Sequence, residues 1–177
     1  MLAIRPAKLN DLNAITGIYN EAILTTVATF DTEPKTDAEQ KAWFYNHGLR
    51  NPILVAELDG VVVGWASLSE WSTRCAYSDT AEISIYVKQE FRSRGIGKRL
   101  LEAIIRAGEE ASLHTVIARI ADGNAVSVHL HECVGFEPIG VMREVGQKFG
   151  KVLDVYLMQK IYTSKPSASP ENNPEPP

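Results

Sequence analysis

The sequence predicts an α/β (α+β) fold in which a mixed, mostly antiparallel sheet of about seven strands packs against about four helices. Three observations predict it. Runs rich in β-branched residues are interspersed with segments whose apolar residues recur at helical spacing. Asp59-Gly60 joins two apolar runs, as in a two-residue hairpin of type I′. A strand-like run at residues 81–87 leads through a glycine turn into a long amphipathic helix and then a further strand, which makes the sheet mixed.

Periodicity and turn residues give the bounds of each element. Asn10 or Asp11 is the expected cap of the first helix, and Thr36 followed by Glu39 predicts a capping box for the second. Residues 25–34 lack helical periodicity and predict a loop. The strands are predicted at residues 2–5, 53–58, 61–68, 81–87, 115–121, 137–144 and 152–159. The last two helices are predicted at residues 95–112 and 125–134, the latter after an Asn124 cap.

The length of 177 residues and the 45% hydrophobic content suffice for one domain with its own core. We assign residues 1–162 to that domain. Residues 163–177 are dominated by Pro, Ser, Asn and Glu, a composition that buries too little apolar surface to offset the entropy of ordering. They are predicted to be a disordered tail.

The net charge of -4 argues against a protein whose main role is to wrap nucleic acid or coat an anionic membrane. The sequence has no signal-peptide pattern at its start and no run that approaches the roughly twenty apolar residues that span a bilayer. We therefore expect no nucleic-acid or membrane partner and a cytoplasmic location. Cys75 and Cys133 are expected to be free thiols, since a domain with an ordinary core does not need a disulfide.

Residues 92–98, RSRGIGK, lie between the strand at 81–87 and the amphipathic helix. A helix N-terminus presents unpaired N–H groups and a partial positive charge, and glycines let a phosphate approach the backbone closely. The arginines and the lysine add positive charge around the turn. The run therefore fits a diphosphate group, although a solvated basic helix start also explains these residues.

Two other phosphate-binding motifs are disfavoured. A Walker P-loop requires Ser or Thr after Gly-Lys, whereas Arg99 follows Gly97-Lys98 here. A dinucleotide fingerprint requires a third glycine where Leu100 stands, and the preceding hairpin does not belong to a leading βαβ unit. At this point the glycine turn remains either a site for another phosphate-bearing ligand or a plain tight turn.

The turn resembles the acetyl-CoA signature of the GNAT superfamily of N-acetyltransferases, Gln/Arg-x-x-Gly-x-Gly/Ala, at Arg92, Gly95 and Gly97. A second ordered match runs from Asn124 through Ser127 and His131 to Gly135 and Phe136. Residues 2–160 further resemble the phosphinothricin and methionine sulfoximine acetyltransferase branch, in the segments IYNEAILTTVATFDTEP, AEISIYV and LHECVGF and in a late Gly146-x-Lys148-x-Gly150 run.

The resemblance implies that acetyl-CoA is the co-substrate and lies between splayed strands in the middle of the sheet. Backbone groups of residues 85–87 would pair with the pantetheine arm and supply N–H groups for the thioester oxygen. The cofactor-binding residues that it implies are Ile85, Tyr86, Val87, Arg92, Ser93, Arg94, Gly95, Ile96, Gly97, Lys98, Asn124 and Ser127. Helix capping alone also explains Asn124. No cluster of acidic residues and histidines indicates a metal ion.

Acetyl transfer to an amine requires a base, or a water path to one, that removes the amine's proton. The resemblance implies that Glu82, in an otherwise apolar strand, is this general base, although a solvent-facing position on an amphipathic strand also explains it. His131 stands where many relatives carry a tyrosine that protonates the leaving thiolate. The resemblance implies an acid or auxiliary base there, and a plain helix-face histidine is the structural alternative.

The acceptor-binding residues that the resemblance implies are Phe30, Arg74, Cys75, Ala76 and Tyr77. Arg74 would hold a carboxylate or phosphinate in a bidentate pair. Two features depart from the branch: the turn reads Arg-Ser-Arg where a glycine often follows the first arginine, and Cys75 stands in the acceptor segment. The departures leave the fold prediction unchanged but bear on the acceptor.

The predicted function is therefore acetyl transfer to the primary amine of a small amino-acid analogue, such as L-phosphinothricin, L-methionine sulfoximine or L-methionine sulfone. The resemblance also implies a homodimer and a role in detoxification. Two alternatives remain open at this point. One is acetylation of a protein or peptide amine, and the other is an acetyl-CoA-binding sensor without catalysis.

Overall fold

The computed structural model describes residues 1–163. Within them, seven strands form one sheet and four α-helices pack on it, as the sequence predicts. The strands are β1 (Leu2–Pro6), β2 (Ile53–Leu58), β3 (Val61–Glu70), β4 (Thr80–Val87), β5 (Thr115–Ala121), β6 (Glu137–Lys148) and β7 (Lys151–Ile161). The helices are α1 (Leu12–Thr25), α2 (Asp37–Tyr45), α3 (Ile96–Glu110) and α4 (Ala125–Glu132). Apart from Thr163, the predicted tail lies outside the described residues.

The sheet has the strand order β1-β2-β3-β4-β5-β7-β6. Neighbouring strands in the described chain are antiparallel except β4 and β5, whose parallel pairing joins residues 80–82 to residues 115–117 and goes no further. On its other side, β4 pairs with β3 as far as Val87. Beyond residue 82, β4 and β5 therefore diverge, and the second half of β4 turns one row of backbone groups towards a cleft. The predicted splay in the middle of the sheet is confirmed.

Two-residue turns close the two hairpins at opposite ends of the sheet order. Asp59 has φ 49° and Gly60 has φ 84°, so the prediction of a type I′ turn is confirmed. Phe149 and Gly150, with φ 51° and 71°, join β6 to β7 in the same way. Both strands run closer to this turn than the sequence predicts, because an irregular register between Met142 and Gly146 breaks the alternation of side chains that marks a strand.

Helix caps follow the predictions with one difference. Thr36 and Glu39 form the predicted capping box, and the side chain of Asn124 accepts a hydrogen bond from the Ser127 backbone N–H at 3.2 Å. Asp11 precedes α1, but its carboxylate does not cap that helix. It accepts hydrogen bonds from the Lys8 backbone N–H and from Arg5 instead, because the guanidinium of β1 lies within reach.

The two faces of the sheet carry separate cores. On one face, α3 buries Leu100, Leu101 and Ile104 completely against the central strands. On the other face, α1 buries Ile15 and Ile18 against β2 and β3. Burial of each such side chain contributes roughly 1.5–3 kcal/mol. This packing fixes the start of α3 beside the open end of β4.

The loop predicted after the first helix crosses the cleft, and we call residues 26–34 the strap. The buried Lys148 side chain of β6 donates to the carbonyl oxygen of Thr29 at 2.8 Å. The ring of Phe30 lies directly on Gly146, where an added Cβ would come within 2.1 Å of it. At the α1 side, the Tyr19 hydroxyl donates to Asp31 at 2.7 Å. The strap is thus attached to both walls of the cleft.

Candidate active site

The splay between β4 and β5 opens into two joined cavities. The helix cavity, of about 760 Å³, runs along β4 to the start of α3. The strap cavity, of about 490 Å³, lies between the strap, β4 and β5. The residues that border both are Val27, Ala28, Ile85, Tyr86, Asn124, Ser127 and His131. A ligand in one cavity therefore reaches the other through the splay.

The helix cavity ends at the first turn of α3, bordered by Gly95, Gly97 and Lys98. Gly95 has φ 77°, a conformation that residues with a side chain rarely adopt. The first-turn N–H groups of any α-helix lack partners within the helix. The Arg92 side chain turns back and donates to the carbonyl of Val87 at 3.1 Å, which ties the turn to the end of β4. This end of the cavity has the donors and charge that a diphosphate requires.

Glu82 and Arg119 form an ion pair in the strap cavity. Nε and Nη2 of Arg119 donate to the two carboxylate oxygens of Glu82 at 2.6 and 2.7 Å. The side chain of Glu82 is 22% exposed and that of Arg119 is 50% exposed, so a ligand in the cavity can reach both. The guanidinium also lies 5.9 Å from the ring centroid of Trp71. Glu82 thus faces a cleft and carries a preformed cationic partner.

His131 lies where the two cavities meet, and its imidazole is buried. Nδ1 is 2.8 Å from the carbonyl oxygen of Ser127, which only accepts hydrogen bonds, so Nδ1 carries the proton. Within the described chain, Nε2 is buried without a hydrogen-bond partner. Burial lowers the pKa of His131, and the hydrogen bond to Ser127 offsets only part of that effect. The ring is therefore neutral at pH 7, with an acceptor nitrogen at Nε2.

A polar network holds the strap wall. The Tyr19 hydroxyl lies 3.0 Å from Oγ1 of Thr29 and donates to Asp31, whose carboxylate also pairs with Lys35 at 3.0 Å. Burial alone would raise the pKa of Asp31, but the hydrogen bonds from Tyr19 and Lys35 outweigh it and leave the pKa lowered. Burial raises the pKa of Tyr19. At neutral pH this wall therefore holds an ionised Asp31 and an un-ionised phenol.

A third cavity of about 290 Å³ lies beneath α2, and we call it the α2 cavity. Ser67 and Ser84 stand opposite each other in the β3–β4 ladder and border this cavity, and Ser84 borders the strap cavity as well. Glu82 lies two residues before Ser84, a distance of about 7 Å along a strand. Within the described residues, Oγ of Ser67 and Nε1 of Trp65 are buried without partners. The α2 cavity can thus take a short polar side chain of a ligand held at Glu82.

Comparison with known proteins identifies the family of this chain. Residues 15–136 match the acetyltransferase (GNAT) family. The chain belongs to this family. It is an acyltransferase, and its co-substrate is acetyl-CoA.

Relatives of this acetyltransferase share most of its length. It is 41% identical over 159 residues to the L-methionine sulfoximine/L-methionine sulfone acetyltransferase of Pseudomonas aeruginosa, covering 89% of this chain and 92% of that protein. A crystal structure of a phosphinothricin acetyltransferase from Sinorhizobium meliloti with acetyl-CoA has 35% identity and a TM-score of 0.90, covering 97% and 94% of the two chains. The crystal structure of a ribosomal-protein-alanine N-acetyltransferase from Brucella melitensis has 39% identity and a TM-score of 0.86, and the match covers 90% of this chain and 99% of that chain.

Most of the residues predicted to bind acetyl-CoA border the helix cavity. They are Ile85, Tyr86, Val87, Arg92, Ser93, Gly95, Gly97, Lys98, Asn124 and Ser127. Two side chains lie elsewhere: Ile96 is buried in the core, and the guanidinium of Arg94 lies over Phe91, 5.3 Å from the ring centroid. The side chain of Ile96 therefore supports the turn from within the core, and only its backbone N–H is available to a phosphate.

The predicted acceptor residues fall into two groups. Phe30 borders the strap cavity together with Glu82. Arg74 precedes an exposed 3₁₀ turn, Cys75–Tyr77, and in the described chain none of residues 74–77 borders the three cavities. A single chain thus brings Phe30 to the cleft and leaves residues 74–77 outside it. Their role in acceptor binding stays a prediction.

Several residues of the cleft escaped the sequence analysis. Arg119 could have been found from the sequence, because it is the one charged residue in the strand Thr115–Ala121, and the structure exposes it while the other side chains of that strand are buried. Tyr19 and Asp31 gave none, since they come from α1 and the strap and meet only in three dimensions. Lys148 was noted only as part of the late glycine run, and its burial against the strap was not predicted.

Three further features concern residues 1–163. No helix among them is long and apolar enough to cross a membrane. They also contain no group of three or more His, Cys, Asp or Glu side chains that could hold a metal ion. Cys75 and Cys133 are free thiols on the surface.

Proposed function

We propose that this acetyltransferase moves the acetyl group of acetyl-CoA to the α-amine of a small amino-acid analogue of the methionine sulfone, methionine sulfoximine or phosphinothricin type. The junction of the helix cavity with the strap cavity, which contains Glu82, carries the proposal. The relatives at 41% and 35% identity supply the acceptor class. The α2 cavity adds room for a polar side chain near the amine.

Glu82 is proposed as the general base. The amine nitrogen forms a bond to the thioester carbonyl carbon and the carbon–sulfur bond breaks, which requires the ammonium group to lose a proton first. The Glu82 carboxylate retains lone pairs beyond the two hydrogen bonds from Arg119. Its partly exposed position in the cleft supports this role.

The backbone of β4 is proposed to stabilise the charge that develops on the thioester oxygen. Beyond Glu82, β4 has no partner on β5 within the described chain, so the alternate N–H groups of residues 83–87 that do not face β3 are available to a ligand on that side. One well-placed donor of this kind contributes about 3 kcal/mol to the transition state. Because the donors are backbone groups, side-chain substitution would leave them in place.

His131 is proposed as an auxiliary base that passes a proton to the thiolate. Its ground state has Nδ1 protonated and Nε2 free, so the ring first accepts a proton before it can donate one. Glu82 takes the proton that the ammonium group loses before the attack. The nitrogen of the tetrahedral intermediate loses a second proton, which passes to Nε2 of His131 and from there to the coenzyme A thiolate. The position of His131 at the junction of the cavities supports this route.

A homodimer in the cytoplasm with a detoxifying role completes the proposal. Exposed apolar side chains on the edge hairpin support self-association, namely Ile139, Val141, Val145, Val152 and Tyr156. Residues 74–77 are proposed to contact the acceptor in the assembled enzyme. Light scattering on the purified protein tests the oligomeric state, and a monomer at micromolar concentration would contradict the dimer.

The acceptor is tested with acetyl-CoA and a panel of amines followed by mass spectrometry. The panel holds L-methionine sulfone, L-methionine sulfoximine, L-phosphinothricin, common amino acids and a peptide with an N-terminal alanine. Selective acetylation of the first three compounds is expected. Acetylation of the peptide alone would favour the second candidate, a protein N-acetyltransferase, which the similarity to the Brucella melitensis structure supports. Acetyl-CoA binding without turnover of any amine would favour the sensor.

Glu82→Gln tests the base. We expect the rate to fall about 10²- to 10⁴-fold, most at low pH where the amine is hardest to deprotonate, with acetyl-CoA binding retained. The matched control is Glu57→Gln, since Glu57 is also a strand glutamate paired with an arginine, Arg5, but lies outside the three cavities. Turnover of Glu82→Gln equal to that of the control across pH 6 to 9 would remove Glu82 from the mechanism.

A further inference from the structure

The ion pair of Glu82 and Arg119 occupies the place where the acceptor amine must bind. Both carboxylate oxygens of Glu82 accept hydrogen bonds from the guanidinium, and both residues border the strap cavity. A cationic ammonium group that approaches Glu82 therefore meets a cation that is already there. An acceptor with no other charge would weaken the pair and leave Arg119 without its partner, which opposes binding.

A zwitterion removes this conflict. In an α-amino acid the ammonium and carboxylate groups are attached to the same carbon, so the two charges are adjacent, as they are in the ion pair. With the ammonium at Glu82 and the carboxylate at Arg119, the four groups alternate in sign and none is left unpaired. Arginine suits this role because its planar guanidinium binds a carboxylate through two parallel hydrogen bonds.

The position of Arg119 allows it to change partners. Arg119 lies on β5 two residues beyond Ile117, the last residue paired with β4, and it borders the strap cavity. Half of that side chain is exposed, and an ion pair so accessible contributes at most about 1 kcal/mol to stability. Trp71 lies under the guanidinium and offers a flat apolar surface on which it can move.

We propose that Arg119 binds the α-carboxylate of the acceptor while Glu82 receives its α-amine, so that this ion pair selects free α-amino acids. The inference rests on the proposed function and specifies its acceptor further. It assigns the carboxylate to Arg119, which borders the strap cavity, whereas Arg74 lies outside the cavities of the described chain. It also excludes peptide N-termini as good acceptors, since their α-carbon carries an amide instead of a carboxylate.

The test compares two acceptors on three variants. L-methionine sulfone and its carboxamide differ only in the carboxylate, and kcat and KM for each are measured with wild type and with the three variants Arg119→Gln, Arg74→Gln and Arg143→Gln. Arg143 is the matched control because it pairs with Asp154 and borders none of the three cavities in the described chain. The ratio of kcat/KM for acid over amide is compared between variants, so the intrinsic difference in amine reactivity cancels.

We expect wild type and Arg143→Gln to favour the acid over the amide by about 10- to 100-fold, the range for hydrogen bonds between charged groups. Arg119→Gln should lose most of this preference through a higher KM for the acid. Its kcat/KM for the amide should change much less than that for the acid, because the amide has no carboxylate for Arg119 to bind. If Arg119 were merely structural, its substitution would lower kcat/KM for both acceptors by the same factor.

Three results would overturn the proposal: equal use of acid and amide by wild type, an unchanged acid preference in Arg119→Gln, or a preference lost in Arg74→Gln and kept in Arg119→Gln. Failure of the proposed function looks different, because wild type would then acetylate neither compound. Circular dichroism and acetyl-CoA binding of Arg119→Gln verify that the variant is folded, and Arg119→Lys, which keeps the charge, should recover part of the acid preference.

Discussion

Gly95 and Gly97 lie two residues apart in the glycine turn, but a methyl group has different consequences at each. Gly95 has φ 77°, and a Cβ added to it would meet no other atom within 4 Å, so alanine there strains only the backbone. Gly97 lies within α3, and its Cβ would meet Leu130 at an ordinary 3.7 Å. The first glycine is therefore required by the conformation of the turn, and the second by what binds to it.

Substitution of each glycine by alanine separates these requirements. Gly95→Ala should lower the free energy of unfolding by about 1–2 kcal/mol, while Gly97→Ala should leave it unchanged or raise it by up to about 1 kcal/mol. Both should weaken acetyl-CoA binding, because a Cβ keeps a phosphate away from the backbone. Urea unfolding and calorimetric titration with acetyl-CoA measure the two effects. Full affinity in both variants would contradict the placement of the diphosphate at this turn.

Single residues also show how much of the candidate site can be predicted from the sequence. Glu82 and Gly95 were identified because each stands out locally, as an acid in an apolar strand and as a glycine before a helix. Arg119 was not connected with Glu82, since the two residues are 37 positions apart and nothing between them indicates that the two strands lie side by side. Residues that form a site through tertiary contact are visible only when the strand order is known.

Among the elements, the strap is the one whose sequence conveys least about its structure. It is a loop without periodicity, yet its contacts with α1 and β6 close one wall of the strap cavity. Strands and helices with regular patterns were predicted within a few residues. The β6–β7 hairpin was predicted too short because its register shifts twice and glycines replace the side chains that mark a strand.

Gly146→Ala tests whether the strap shapes the acceptor site. The new Cβ would lie 2.1 Å from the Phe30 ring, so the ring and the strap must move, at a cost of about 1–3 kcal/mol. We expect a higher KM for the acceptor and little change in acetyl-CoA affinity. Gly140→Ala in the same strand is the matched control, since its Cβ would meet nothing within 4 Å. If both variants show the same acceptor KM, Phe30 does not shape the acceptor site.

At the scale of the whole molecule, the two faces of the sheet support different parts of the cleft. α3 belongs to one core and presents the glycine turn, while α1, α2 and the strap belong to the other face and enclose Tyr19 and the α2 cavity. The splay between β4 and β5 is where the two sides communicate. With acetyl-CoA at the glycine turn and the acceptor in the strap cavity, as proposed, each substrate contacts a different core, and the reacting groups meet where the sheet is open.

The stability of the whole fold should depend on pH through the buried His131 and the half-buried His47. Burial lowers the pKa of His131 and of His47 in the folded protein, against about 6.5 in the unfolded chain. Between the folded and unfolded values the unfolded chain binds more protons, so stability is complete above pH 6.5 and falls as the pH drops below it. Each of these two histidines contributes at most about 1.4 kcal/mol per pH unit. Asp11 and Asp31, whose pKa values are lowered, act at more acidic pH, below about 4.

Thermal unfolding between pH 5 and 8 tests this dependence, with His131→Gln as the variant. We expect a smaller loss of Tm below pH 6.5 than in wild type, because glutamine takes up no proton on unfolding. His129→Gln is the matched control, since His129 lies on the same helix with its side chain 75% exposed, and it should follow the wild-type curve. If His131→Gln falls in parallel with wild type, the pKa of His131 is not lowered in the folded enzyme, and the neutral imidazole from which the proposed proton route starts loses its support.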